Sequence, residues 1–136
     1  MTIYEKFNVW CEYAEQDLDA AGVMLDAGRW FYVVFMCQQA VEKLVKGLYV
    51  VLVDENVPRI HNIKTLVERF EDRLAAPVPA KYYRLFKMLS AYYVSNRYPD
   101  YISKAAEQIS KEEATDMFNE TKEGFAWLLT LRPQNG

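Results

Sequence analysis

The side chains able to do chemistry are few, and their arrangement excludes more than it admits. The single histidine, His61, stands in Pro58-Arg59-Ile60-His61-Asn62, just ahead of a helix start. Alone it reads as a polar residue ordering that turn; a histidine placed beside a phosphate is suited to proton transfer. One histidine excludes the two-histidine zinc motifs, and no carboxylate cluster has metal-site spacing. A glycine-rich phosphate loop and a Gly-x-Ser-x-Gly elbow are both absent. Cys11 and Cys37 have no motif spacing and fall on apolar stripes. They read as buried structural thiols of a reduced, cytoplasmic protein. No metal and no cofactor is expected.

One stretch departs from the rest. Residues 81–104 hold Lys81, Arg84, Lys87, Arg97 and Lys104 against Asp100 alone, a local charge of +4 that leaves −7 elsewhere in a chain of net charge −3. Six of the ten tyrosines lie there too: Tyr82, Tyr83, Tyr92, Tyr93, Tyr98 and Tyr101. Cations hold phosphates and aromatic faces stack on bases, so the mixture suits a nucleotide or an RNA strand. It equally suits tyrosines spent on core and dimer packing, with the cations on a solvated face.

The loop Ser95-Asn96-Arg97-Tyr98-Pro99-Asp100 is the most informative segment. An arginine at a helix end, followed two residues later by proline, is a preorganised donor fork for phosphate. It could also bond local carbonyls or Asp100. Gln39, Glu42 and Lys46 interrupt an apolar helix, and buried polar groups need partners, so they are expected to share a cleft with Arg97. Glu42 and Lys46 are also ordered for an ordinary i,i+4 pair.

The elements that must position these residues are helical. Thr2-x-x-Glu5 is a capping box, and Phe7, Cys11, Ala14, Leu18, Ala21 and Leu25 step by fours and threes behind it, to about Asp26, with Gly28 as punctuation. A second helix is expected over residues 30–53, with Trp30, Val34, Cys37, Val41, Leu44, Leu48 and Val51 as its stripe. Its first two turns are apolar on every side, which marks a central helix. Asn62 can cap a short third helix ending near Leu74. After Pro77 and Pro79, a fourth is expected from Ala80 to about Asn96, where Pro99 disfavours helical geometry at Tyr98. Residues 101–109 are ambiguous. Ser110-x-x-Glu113 opens the last helix through Phe118, Phe125 and Leu128.

The 136 residues make one domain, residues 1–136, with a normal balance of 51% hydrophobic and 26% charged residues. The expected fold is all-α: an up-and-down four-helix bundle with an additional short helix. A net charge of −3 and pI near 5.2 argue against a nucleic-acid coat protein, though not against a local basic patch. The N-terminus shows no signal-peptide pattern, and the longest apolar run, residues 30–37, is far short of the roughly 20 residues that span a bilayer.

Several of these segments resemble the HEPN family (higher eukaryotes and prokaryotes nucleotide-binding domains), in its small stand-alone bacterial and archaeal form. The resemblance runs through Asp17-Leu18-Asp19-Ala20-Ala21, Gly28-Arg29-Trp30 and Gln38-Gln39-Ala40-Val41-Glu42-Lys43-Leu44-Val45-Lys46. It continues through Pro58, His61 and Leu66 to Arg97-Tyr98-Pro99-Asp100. It implies a HEPN-like bundle of four to five helices, usually a homodimer, often encoded beside a minimal nucleotidyltransferase in a toxin–antitoxin-like pair. Many members are metal-independent endoribonucleases with an Arg-x(4–6)-His motif. This chain has Arg97, but no histidine follows it.

Three functions are therefore carried forward. The first is a nucleotide- or RNA-binding homodimeric module paired with a nucleotidyltransferase, using Arg97, Tyr98, Asp100, His61, Lys46, Gln39 and Glu42. The second is an endoribonuclease toxin using Arg97 with His61, or with Tyr98 or Tyr101 polarising the phosphate. The third is a scaffold that binds neither.

Overall fold

In a computed structural model, residues 1–93 and 108–134 are described. All regular structure among them is helical: α1 (Ile3–Asp26), α2 (Trp30–Leu52), α3 (Ile63–Glu68), α4 (Ala80–Ser90) and α5 (Lys111–Leu129). A single 3-10 turn (Glu71–Arg73) sits between α3 and α4.

Local chemistry sets most boundaries. Thr2 Oγ1 accepts from the Glu5 N–H at 3.1 Å, and Glu5 Oε1 accepts from the Thr2 N–H at 3.4 Å, closing the capping box. At the other end of α1, Gly28 takes φ +72°, and the Arg29 N–H reaches back to the Met24 carbonyl at 2.9 Å. That is a Schellman close, which glycine makes without steric cost. Asn62 Oδ1 caps α3 through the Thr65 N–H, and Ser110 Oγ caps α5 through the Glu113 N–H.

Two expected boundaries are corrected. The third helix does not run to Leu74: α3 ends at Glu68, and the chain tightens into the 3-10 turn. The fourth does not run to Asn96: α4 ends at Ser90. No proline causes this. Ser90 Oγ donates to the Phe86 carbonyl at 2.8 Å and accepts from the Ile63 N–H at 3.0 Å, so its side chain is spent on joining α4 to the start of α3.

The apolar stripes meet around α2. It packs against α1, α3, α4 and α5, and Val33, Val34, Cys37, Val41, Leu44 and Leu48 are almost fully enclosed. Burial of such side chains contributes about 1.5–3 kcal/mol each, which makes this central helix the main source of stability. Two glycines set the closest approaches. A Cβ on Gly47 of α2 would lie 2.9 Å from Trp10 Cβ of α1, and one on Gly124 of α5 would lie 2.6 Å from Leu85 Cδ2 of α4. No described helix is long and apolar enough to cross a membrane.

Candidate functional site

The polar positions of α2 form one connected group. Gln38, Glu42 and Lys46 recur every fourth residue and so share a helix face. Their exposures are only 0%, 5% and 9%, which obliges each to find a partner. Glu42 is that partner for the other two. Gln38 Nε2 donates to its Oε1 at 2.7 Å, and Lys46 Nζ donates to its Oε2 at 3.0 Å. Gln39 joins indirectly, donating Nε2 to Gln38 Oε1 at 2.7 Å.

His61 completes the group from outside the helix. Its Nδ1 lies 3.0 Å from Glu42 Oε2 and 3.3 Å from Oε1. A carboxylate oxygen only accepts, so this pairing assigns the proton to Nδ1, and Nε2 is the nitrogen not bonded to Glu42. The ring stacks on Tyr93, with centroids 3.9 Å apart and planes 9° from parallel. The position is built from both flanks: Asn62 caps α3, and the next residue, Ile63, is bonded to Ser90 of α4. The loop carrying His61 is thereby held against the α4 end that leads to Tyr93.

The arrangement is a carboxylate holding an ammonium and an imidazole, with an aromatic ring alongside. The His61 side chain is 42% exposed, against 7% for Glu42 and 11% for Lys46. The imidazole is therefore the accessible edge of an otherwise enclosed ion pair. Unprotonated at Nε2 the ring can accept a proton there, and protonated at both nitrogens it can donate to an oxyanion.

Of the residues expected at the site, the fold brings Glu42, Lys46 and His61 into direct contact, with Gln39 one bond further out. Arg97, Tyr98 and Asp100 lie outside the described residues, as does Tyr101. Gln38 and Tyr93 were not singled out as site residues. Gln38 could have been, since it stands one turn before Glu42 on the same face. No spacing in the sequence pairs Tyr93 with His61. Lys43, also on this helix, serves the fold: its ammonium pairs with Asp17 of α1.

Neither thiol is poised to react. Cys37 is fully enclosed, and burial pushes its thiol up to about 11. Cys11 is only half-buried, a correction to its expected core position. Desolvation raises its thiol first, and the Glu15 carboxylate, which accepts from Sγ at 3.7 Å, adds to the effect. Among the described residues, no group of three histidine, cysteine or acidic side chains could hold a metal ion.

Comparison with known proteins decides the family. A model of the HEPN domain matches residues 7–131. The chain belongs to the HEPN family. The structure of an archaeal HEPN homologue is 26% identical with a TM-score of 0.70, covering 91% of this chain and 95% of that one. A protein of Thermus thermophilus is also 26% identical with a TM-score of 0.80, covering 93% and 98% respectively. No curated protein matches the sequence. The all-helical architecture is therefore the HEPN fold, and the Gln38–Lys46 segment of this HEPN chain supplies the buried polar ladder at its centre.

Proposed function

We propose that this HEPN protein is a homodimeric nucleotide- or RNA-binding module, acting in the cytoplasm beside a minimal nucleotidyltransferase. The nucleotide or RNA is bound by Arg97, Tyr98 and Asp100 with Lys46 and His61, while Gln39 and Glu42 hold the polar ladder. The observation that carries this reading is the Glu42 hub. A helix this buried keeps a lysine and a carboxylate inside at a desolvation cost, and it joins them to an accessible imidazole. The imidazole stacks on Tyr93, four residues before Arg97 in the chain. Pairing with a nucleotidyltransferase and the homodimer are drawn from the habits of the family.

A labelled oligonucleotide titrated against wild type, Arg97→Ala and Arg97→Lys tests the reading. Loss of a charge-assisted contact should weaken binding by about 1–3 kcal/mol in Arg97→Ala. Arg97→Lys should recover less than half, because an ammonium lacks the guanidinium fork. Equal affinities, or no binding by wild type, would leave a scaffold as the better account.

The contact between Glu42 and His61 also supports a second reading, the metal-independent endoribonuclease. A carboxylate that orients an imidazole through Nδ1 is a general-base arrangement, with Arg97 as the hydrogen-bond donor to the phosphate. RNA cleavage in chelator by wild type, abolished in both His61→Ala and Arg97→Ala, would put this reading first. Intact RNA under those conditions removes it.

A further inference from the structure

The groove between α4 and α5 has the charge pattern of a surface that pairs with itself. A cavity of about 180 Å³ lies among Lys81, Arg84, Met88 and Glu120. A second, of about 260 Å³, lies among Met88, Glu113, Asp116 and Glu120, over Val34 and Ile109. Met88 and Glu120 line both, so the two cavities form one groove. Along α5, Glu113, Asp116, Glu120 and Glu123 step by three, four and three, which places four carboxylates on one edge. Along α4, Lys81, Arg84 and Met88 step by three and four, with Lys87 exposed beside them.

Only one ion pair crosses the groove among the described residues, Lys81 with Glu123 at 2.8 Å. Arg84 and Lys87 on the basic edge, and Asp116 and Glu120 on the acidic edge, make no ion pair among the described residues. Met88 lies between the two edges and is 47% exposed, which makes it one of the large apolar side chains left in water.

We propose that this groove is the face on which a second copy of the chain docks. The inference rests on the homodimer of the proposed function and names its surface. In a two-fold dimer each contact occurs twice with the partners exchanged, so a charged interface must carry both signs on one patch. Here the basic edge of one copy meets the acidic edge of the other, and Met88 packs near the axis. The exposed Val9, Tyr13 and Val23 of α1 make a competing apolar face, but this charge match belongs to the α4–α5 groove.

Light scattering on the full chain at micromolar concentration tests the assignment. Wild type should show twice the 15.9 kDa chain mass. Arg84→Glu with Lys87→Glu, and separately Asp116→Lys with Glu120→Lys, should each raise the dimer dissociation constant at least about ten-fold. An equimolar mixture of the two variants should recover the dimer, because every reversed edge then meets its complement; unfolded variants could not do this. Tyr13→Ser with Val23→Ser should leave the mass unchanged. A monomeric wild type would remove the homodimer itself. A dimer indifferent to both reversals, or broken by the α1 substitutions, would keep the homodimer and overturn this face.

Discussion

At the scale of single residues, Glu42 matters most, because three donors depend on one enclosed carboxylate. Its removal leaves the Lys46 ammonium and the Gln38 amide buried without their acceptor. Breaking a buried pair on one side costs about 3–5 kcal/mol, mostly through the charge left behind. Glu42→Ala should therefore lower unfolding stability by about that much in urea titration. Glu55→Ala, which breaks the exposed pair with Lys6, should change it by less than about 1 kcal/mol. If the two variants unfold alike, the ladder is wetter than its burial implies. Of this hub, the sequence made the pairing of Glu42 with Lys46 legible through their spacing. His61 was legible as a candidate site residue, but its bond to Glu42 was not, because a contact across 19 residues depends on how the loop returns to α2.

At the scale of elements, helix starts were readable and two helix ends were not. Thr2, Asn62 and Ser110 announce their helices because an N-cap is a local bond within four residues. Ser90, the last residue of α4, bonds to Ile63, a contact 27 residues away that no local pattern encodes. The approach of α4 to α5 is likewise tertiary, and it depends on Gly124. Gly124→Ala should gain helix propensity, roughly 0.5–1 kcal/mol, yet its Cβ would fall 2.6 Å from Leu85 Cδ2. Overpacking of that kind costs about 1–3 kcal/mol, so the net change should be destabilising in thermal unfolding. A variant as stable as wild type would show that Leu85 can turn aside at no cost.

At the scale of the whole molecule, the charge is divided rather than absent. A chain of net −3 repels a polyanion at long range, so the binding proposed above would rest on a few local cations, Arg97 and Lys46 first among them. With few cations to displace counterions, the logarithm of single-strand affinity should fall with log salt at a slope no steeper than about −3. Oligonucleotide titrations over a range of salt concentrations measure this. A much steeper slope would mean that more cations engage the strand than the proposed site supplies.

By itself the sequence determined that this protein is a helical HEPN chain. Periodicity, caps and the order of its motif segments are local or nearly local properties, and helix-forming hydrogen bonds reach only four residues. The tertiary structure alone decided that Glu42 serves His61 as well as Lys46, and that Tyr93 lies under the imidazole. It alone decided, too, that α4 stops at Ser90 and that the acidic edge of α5 borders a groove shared with the basic edge of α4. These are contacts between residues far apart in the chain, fixed by how helices of complementary shape pack around α2.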